Sequence, residues 1–280
     1  MSELACAPIG VYDSGLGGLS VVRQLRRLLP RESILYVADN ARVPYGGRSS
    51  EEIRAFSREL IAFMRRQGVK LIAIACNTSS VLVLPAFEQE FDLPLLGLAQ
   101  AGAGSAAAFQ HLGVLATEAT VRSGVYRQLL RRVNPAVRLT ELACPDFVPL
   151  VEQGVWEHPE TFLTVLRRVV GLCADVPEAV LLGCSHFPYL IRPLQAALGP
   201  AVQLIDPAVH LAARIAAELQ RGQMLNLSAE SSHTFYVTGA LEPFTSLAAR
   251  YLGTSDLWVR PVNLNASLVC SGGLYAPLSL

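Results

Sequence analysis

Residues 71–80 read Leu71-Ile72-Ala73-Ile74-Ala75-Cys76-Asn77-Thr78-Ser79-Ser80. The apolar run is typical of a buried strand, and the amide and hydroxyl residues after the cysteine are typical of the start of a helix. The same pattern returns further along, where Ala179-Val180-Leu181-Leu182-Gly183 leads into Cys184-Ser185-His186-Phe187-Pro188. In parallel α/β sheets, ligands bind where strands end and helices begin. The repeat therefore indicates two thiols, Cys76 and Cys184, that face one small molecule.

The rest of the chain alternates in the same way between short apolar runs and helical patterns. Strands are predicted at residues 9–12, 34–38, 71–75, 94–98, 113–116, 137–142, 179–182, 202–205, 234–238 and 257–259, and helices at 19–29, 50–67, 102–110, 121–133, 159–173, 189–198 and 209–220. Strands this apolar, interleaved with helices, indicate parallel sheets that helices cover on both faces.

The order of these elements repeats, which indicates two domains. In each half, a strand, a turn of small or hydroxyl residues and a helix precede the strand that ends on cysteine. The stretch between the two cysteines has about the length of one α/β domain. We therefore expect two similar parallel-sheet α/β domains that face each other across a shared active-site cleft. Residues 1–98 together with 213–280 are predicted to form the first domain, and residues 99–212 the second.

The composition argues against several classes of protein. Of the 280 residues, 51% are hydrophobic and 16% are charged, which is typical of a folded globular chain. The 23 basic and 23 acidic residues cancel, so nothing favours nucleic acid or an anionic membrane surface as a partner. The sequence has no apolar run of membrane-spanning length and no leader-peptide pattern, so we expect a cytoplasmic protein.

The six cysteines are widely spaced along the chain: Cys6, Cys76, Cys144, Cys173, Cys184 and Cys270. No two of them form a C-x-x-C pair, which indicates free thiols in a reducing compartment rather than a disulfide framework. The ligand spacing of zinc sites is also absent, and we expect no metal. Cys6, Cys144, Cys173 and Cys270 are interpreted as small core residues.

A glycine-rich turn, Asp13-Ser14-Gly15-Leu16-Gly17-Gly18, follows the first predicted strand. Glycines let a backbone turn tightly and approach a ligand. Gly15-x-Gly17 also begins like a dinucleotide-binding fingerprint, with Asp39 at the distance expected of a ribose-binding acid. Ser20 replaces the third glycine of that fingerprint, so a dinucleotide site and a plain structural turn are both alternatives. A second turn, Pro44-Tyr45-Gly46-Gly47, follows the next strand and could serve as a binding loop.

Two thiols on opposite walls of one cleft fit a particular chemistry. A helix start after each cysteine would favour the thiolate, which is the reactive form, and Asp13, Glu152 and His186 are the ionisable groups placed to assist. One thiolate removes a proton from one face of a carbon, and the other thiol returns a proton to the opposite face, which inverts the configuration without a cofactor. A cysteine–histidine protease is the competing interpretation, but it leaves the second cysteine without a role.

Five motifs together make the chain similar to a known family. They are Gly10-Val11-Tyr12-Asp13-Ser14-Gly15-Leu16-Gly17-Gly18-Leu19-Ser20, Arg42-Val43-Pro44-Tyr45-Gly46, Ala75-Cys76-Asn77-Thr78, Ala143-Cys144-Pro145-Asp146-Phe147-Val148-Pro149-Leu150-Val151-Glu152 and Leu182-Gly183-Cys184-Ser185-His186-Phe187-Pro188. In this order they resemble the cofactor-independent glutamate racemases of the aspartate/glutamate racemase group. The resemblance implies an isomerase that interconverts L- and D-glutamate and supplies D-glutamate for peptidoglycan, and so for the bacterial cell wall and cell shape. It also implies a homodimer.

The resemblance assigns roles to individual residues as well. Cys76 and Cys184 would be the two acid/base groups, with Cys184 removing the proton of L-glutamate and Cys76 that of D-glutamate. Asp13, Glu152 and His186 would support them. The substrate would be held by residues at the strand ends, namely Asp13, Ser14, Tyr45, Gly46, Asn77, Thr78, Thr120, Ser185 and His186. The resemblance implies neither a cofactor nor a metal.

Two positions depart from the family pattern. Ser185 stands where the family usually has threonine, and Leu98-Ala99-Gln100-Ala101-Gly102, at the predicted crossing between the domains, lacks the usual proline before glycine.

Two other functions stay open. One is a racemase or decarboxylase of the same group that acts on another acid, such as aspartate. The other is a nucleotide- or phosphate-binding regulatory module built on the glycine turn. No arginine lies within the cysteine motifs, so backbone N–H groups and hydroxyls are expected to bind the side-chain carboxylate.

Overall fold

Two parallel sheets form the frame of the protein. The computed structural model describes residues 3–87, 89–228, 230–255 and 257–264. The first sheet contains β1 (Ile9–Asp13), β2 (Ile34–Ala38), β3 (Leu71–Ile74), β4 (Leu95–Gly97), β9 (His233–Val237) and β10 (Val259–Pro261), and the second contains β5 (His111–Ala116), β6 (Arg138–Ala143), β7 (Ala179–Leu182) and β8 (Gln203–Ile205). The strand order is β10-β9-β2-β1-β3-β4 in the first sheet and β6-β5-β7-β8 in the second. All the strand pairs in this described part are parallel.

Helices connect these strands. They are α1 (Glu3–Cys6), α2 (Leu19–Leu28), α3 (Ser50–Arg66), α4 (Asn77–Phe87), α5 (Leu98–Ser105), α6 (Glu118–Ser123), α7 (Val125–Val133), α8 (Phe147–Glu152), α9 (Pro159–Val169), α10 (Ile191–Leu198), α11 (Pro207–Arg221) and α12 (Phe244–Leu252), with short 3₁₀ segments at Tyr45–Gly47, Ala106–Ala108, Val170–Ala174 and Phe187–Leu190. Local signals set some of the boundaries. Ser49 and Glu52, for example, form a reciprocal capping box at the start of α3.

Helices cover both faces of each sheet because successive side chains of a strand point to opposite faces and here both faces are apolar. In β1, Ile9 and Val11 pack with α2, α11 and α12, whereas Tyr12 packs with α3 and α4 on the other face. The second sheet is covered by α8, α9 and α10 on one face and by α5 and α7 on the other. The predicted fold class, two parallel-sheet α/β domains, is confirmed.

Helix α5 is shared between the cores of the two sheets. Leu98 and Ala101 lie in a cluster of the first sheet, while Ala99 and Ala103 lie in a cluster of the second. The predicted domain boundaries fall at the start of α5, after residue 98, and inside α11, after residue 212. The division of the chain at these two points stays a prediction.

Several predicted helices differ from those in the structure. The single helix predicted at 121–133 is two helices, α6 and α7, because Gly124 lies between them in the left-handed conformation at φ 65°. The helix predicted at 102–110 begins four residues earlier, at Leu98, and ends in a 3₁₀ segment. Helices α1, α4, α8 and α12 were not among the predicted helices.

Residues 265–280, which were assigned to the first domain, lie outside the described residues, as does Cys270. Within the described ranges, no helix is both long enough and apolar enough to cross a membrane.

Candidate active site

A cavity of about 440 Å³ lies where strands of the two sheets end. Its walls come from segments that follow β1, β2 and β3 in the first sheet and β5, β6 and β7 in the second. All the predicted site residues except Asp13 line it: Ser14, Tyr45, Gly46, Cys76, Asn77, Thr78, Thr120, Glu152, Cys184, Ser185 and His186. The structure thus brings together residues from both halves of the sequence around one small-molecule-sized space.

Cys76 lies between β3 and α4 and is almost fully buried, with 5% of its surface exposed. Burial, and next the negative charge of Asp13, raise the pKa of the Cys76 thiol to about 12. The expectation that the helix start would favour the thiolate is therefore wrong for this residue, because burial and the Asp13 charge outweigh the hydrogen bonds of Ser79, which favour the thiolate. At neutral pH, Cys76 holds its proton.

Cys184 has a different environment. It follows β7, but the expected helix start is wrong here too, since a turn and the 3₁₀ segment Phe187–Leu190 separate it from α10. The Cys184 sulfur lies 3.8 Å from Nδ1 of His186, and the His186 Nε2 lies 2.6 Å from Oε1 of Glu152. The thiol of Cys184 thus contacts the His186 ring, which in turn contacts the Glu152 carboxylate.

The contact between His186 and Glu152 favours the ionised form of both groups. Burial alone would lower the pKa of His186, but its hydrogen bonds with Cys184 and Glu152 and the Glu152 charge hold that pKa well above its usual value. Burial alone would likewise raise the pKa of Glu152, but the hydrogen bond and charge of His186 and a hydrogen bond from the Leu16 N–H keep it below its usual value. The imidazolium next to the Cys184 sulfur can stabilise negative charge there.

Asp13 lies behind the cavity wall and is fully buried. Its carboxylate accepts hydrogen bonds from the Gly15 N–H and from the Ser185 hydroxyl, both at 2.9 Å. Burial is the main cause of its raised pKa. Asp13 therefore joins the glycine turn of the first sheet to the loop after β7. Its negative charge also contributes to the raised pKa of the Cys76 thiol.

Asn77 connects the two sheets directly. Its amide is best oriented with the oxygen toward the backbone N–H groups of Ser185 (3.1 Å) and Cys184 (3.3 Å) and with the nitrogen toward the Tyr126 hydroxyl, since the reverse sets its NH₂ group against two donors. Tyr126, on α7, is fully buried. Asn77, the residue after Cys76, thus accepts hydrogen bonds from the backbone at Cys184 and Ser185.

The glycine turn is packed against the second domain and leaves no space for a nucleotide phosphate. A Cβ atom at Gly15 would collide with the Glu152 carboxylate, and one at Gly17 would collide with Ser185 and the His186 ring. These glycines are required for close approach of the two domains. The dinucleotide interpretation thus lacks support.

The proposed ribose-binding acid is also occupied. The Asp39 carboxylate accepts hydrogen bonds from Arg42 Nε and the Thr238 hydroxyl, each at 2.7 Å, and from the Tyr45 hydroxyl. It is fully buried. Asp39 therefore holds the Tyr45 loop in place rather than facing a ligand.

Sequence reasoning missed several residues of the site. Thr117, the N-cap of α6, and Arg122, in its last turn, both line the cavity. The T-x-x-T spacing of Thr117 and Thr120 was a usable signal, because it is typical of a capped helix start. Arg122 gives the cavity a cation that was not expected from the cysteine motifs. Tyr126 gave no signal of its own, because its partner is 49 positions away in sequence.

The remaining cysteines lie elsewhere. Cys144 is buried in the core of the second domain, as predicted. Cys6 is exposed, so its interpretation as a core residue is wrong; α1 has a single turn and buries its neighbour Ala5 instead. The surroundings of the Cys173 side chain are outside the described part. No cluster of three or more metal-binding side chains occurs among the described residues.

Comparison with known proteins gives a consistent result. The model of the Asp/Glu/Hydantoin racemase family matches residues 9–215. A curated glutamate racemase of Thermus thermophilus is 43% identical over 258 residues, which cover 92% of this chain and 97% of that protein. The crystal structure of the Francisella tularensis glutamate racemase in complex with D-glutamate superposes with a TM-score of 0.87 at 31% identity, covering 94% of this chain and 99% of the other. An aspartate racemase from Picrophilus torridus, at 17% identity and a TM-score of 0.59 over 79% of this chain and 99% of its own, shares the fold alone.

Proposed function

The chain belongs to the Asp/Glu/Hydantoin racemase family and is an enzyme of the racemase class, and from this we propose that it interconverts L-glutamate and D-glutamate by a two-base mechanism that needs no cofactor. Cys76 and Cys184 are the two acid/base groups. Relatives that are named glutamate racemases and match nearly the whole chain support glutamate as the substrate.

The observation that carries the proposal is the pair of unlike thiols in one cavity. Both line it, one after β3 of the first sheet and the other after β7 of the second. Burial keeps Cys76 protonated, whereas Cys184 stands next to an imidazolium that stabilises negative charge. One side of the site is thus set to donate a proton and the other to accept one.

In the direction from L- to D-glutamate, the Cys184 thiolate takes the α-proton, and the electron pair of the broken C–H bond stays on the α-carbon. The Cys76 thiol then donates its proton to the opposite face of that carbon. The product carries a new C–H bond of inverted configuration, Cys184 is now a thiol and Cys76 a thiolate. The reverse reaction starts from this second state of the enzyme, with Cys76 as the base.

The polar groups of the cavity wall suit an amino acid with two carboxylates. Ser14 and Thr120 offer hydroxyl donors, whereas the Ser185 hydroxyl, which donates to Asp13, can accept from the substrate ammonium. The first turn of α4, at Asn77 and Thr78, presents backbone N–H groups that have no acceptor within the helix itself. Tyr45 and Gly46 close the side formed by the loop after β2. Arg122 adds a positive charge that favours an acidic substrate over a neutral one.

The competing substrates and chemistries are less well supported. A decarboxylase that uses one cysteine would leave the second thiol of the cavity without a role. Solved aspartate racemases such as that of Picrophilus torridus, at 17% identity, share the fold alone and so give aspartate weaker support as the substrate. The nucleotide-binding alternative loses its support because the glycine turn contacts protein side chains.

In the cell, such an enzyme acts on a free small molecule. We infer that it works in the cytoplasm, that its D-glutamate is used for peptidoglycan and hence for the cell wall and cell shape, and that it forms a homodimer. These inferences follow from membership in the family and from the resemblance of its motifs.

The direct test is to incubate the pure protein with L-glutamate in heavy water, without any added cofactor. We expect loss of optical rotation, and early in the reaction we expect deuterium mainly in the D-glutamate that forms. The two-base mechanism requires this result. Cys184 removes the α-proton, and Cys76 then donates a different proton, one that has exchanged with solvent, to the opposite face of the carbon. Equal label in substrate and product at early times would contradict the two-base mechanism.

A further inference from the structure

Helix α9 presents an apolar stripe to solvent. Thr161, Val165 and Val169 face the core and are buried. On the outer side, Phe162, Leu163, Leu166 and Val170 have exposed fractions of 37%, 53%, 45% and 57%. Their spacing of one, three and four residues places them on one face of the helix and its 3₁₀ extension. We call these four residues the α9 stripe. A contiguous apolar surface of this kind usually marks an interface.

Two opposite charges flank this stripe. Glu160 lies at the start of α9 and Arg167 near its end, and both side chains are exposed. Seven residues is about two helical turns, so both charges lie on the same edge of the stripe, roughly 10 Å apart along the axis. Neither side chain has a salt-bridge partner within the described part of the chain.

This arrangement is complementary to itself. When two copies of the helix pack antiparallel about a two-fold axis, the same edge of each helix faces the same edge of the other. An axis that passes between residues 163 and 164 sets Glu160 of each copy opposite Arg167 of the other. The same axis brings Leu163 of one copy against Leu163 of the other at the centre, about one residue rise apart along the helices.

We propose that the α9 stripe is the contact surface between two copies of this chain, packed antiparallel through α9. The proposal rests on the homodimer inferred above and names its surface. Charge complementarity favours a second copy as the occupant, because the one axis that pairs each Glu160 with an Arg167 also places the exposed apolar Leu163 at the centre of the contact. Standard interfaces bury roughly 800 Å² per partner, more than one helix face of this length offers. The dimer is therefore expected to be weak, with a dissociation constant on the order of micromolar.

The first experiment is sedimentation velocity on the full chain over a range of concentrations. Wild-type protein should pass from monomer to dimer, and Leu163→Glu should weaken association by about tenfold or more, because it places a charge in the apolar centre. The matched control is Val133→Glu, at an apolar position on α7 that is 49% exposed, and it should associate like wild type. Racemisation should be unchanged in both variants, since neither residue lines the active-site cavity.

The second experiment tests the register by charge reversal. Glu160→Arg alone and Arg167→Glu alone should each weaken self-association, because each places like charges opposite one another. Mixing the two variants should restore it, since every Arg of one chain then meets a Glu of the other. If every one of these variants dimerises as strongly as wild type, α9 is not the contact surface, although the protein is still a homodimer. A chain that is monomeric up to about 100 μM would overturn both.

Discussion

At the scale of single residues, the two thiols differ in what surrounds them. Cys76 is held in a buried, protonated state near Asp13, and Cys184 stands beside the His186 imidazolium. This difference could not be predicted from the two strand-end patterns, which look alike in sequence. It depends on which side chains the fold brings from distant segments.

We expect Cys76→Ser and Cys184→Ser each to reduce racemisation to below a few per cent of wild type. A hydroxyl is far less acidic than a thiol, so serine cannot supply the base at neutral pH. Turnover followed by circular dichroism of the substrate measures this. Cys6→Ser is the matched control, because Cys6 is exposed and does not line the cavity. Substantial activity in either active-site variant would rule out the two-base mechanism.

The His186–Glu152 pair predicts a pH-dependent stability. The raised pKa of His186 contributes stability that is full below its ordinary value of 6.5 and is lost as pH rises through the raised value. The lowered pKa of Glu152 contributes stability that is full above 4.5 and is lost as pH falls through the lowered value. Glu152→Gln should therefore destabilise the protein most between about pH 5 and 6.5, by about 1–3 kcal/mol.

The melting temperatures of wild type and Glu152→Gln, measured from pH 5 to pH 10, give this difference directly. The difference in melting temperature between wild type and Glu152→Gln should become smaller at the alkaline end of that range. A gap that stays constant with pH would show that the pair is not ionised as described.

At the scale of elements, the glycine turn after β1 sets how closely the two domains approach. We expect Gly17→Ala to lower kcat by about tenfold or more, because a Cβ there displaces Ser185 and His186 from their places beside Cys184. Gly104→Ala is the matched control. That position lies in α5, has open space around its Cβ and should become slightly more stable, by about 0.5–1 kcal/mol.

Steady-state kinetics and thermal melts on both variants separate activity from stability. A Gly17→Ala variant with normal kcat would show that the turn tolerates a wider separation of the domains than the structure indicates.

Sequence patterns predicted most strands well, because strands buried on both faces are short continuous apolar runs. Helix α4 was not predicted as a full helix, because residues 77–87 are almost uniformly apolar after the first turn and include Pro85, so no amphipathic period is visible. The start of α5 was missed because its two faces contact two different cores, which hides the single apolar stripe of an ordinary surface helix.

At the scale of the whole molecule, the cavity lies between domains, and we expect the separation of its two walls to select the length of the substrate. Aspartate is one methylene shorter than glutamate, so one of its carboxylates would leave donors on one wall unpaired. Unpaired buried donors cost about 1–3 kcal/mol each, so we expect kcat/KM for L-glutamate to exceed that for L-aspartate by about a hundredfold or more. Comparable values would show that the assigned substrate is wrong even if the two-thiol chemistry is right.

The site as a whole was predictable only in part. The cysteines and the hydroxyl residues near them followed from strand ends, and Glu152 and His186 were predicted as supporting groups, but the pairing of these two with each other was not predicted. Contacts such as Asn77 with Tyr126 depend on the packing of one domain against the other, which no local pattern encodes.

The unlike surroundings of the two sulfurs have a consequence for kinetics. Mirror-image amino acids have equal free energies in water, so the enzyme must reach equal amounts of both, and kcat/KM must be the same for either enantiomer. The difference between the two walls can then make kcat unequal for the two enantiomers only if KM differs between them by the same factor. Any substitution on one wall, including one that touches Cys184 alone, must lower kcat/KM for L- and D-glutamate by the same factor.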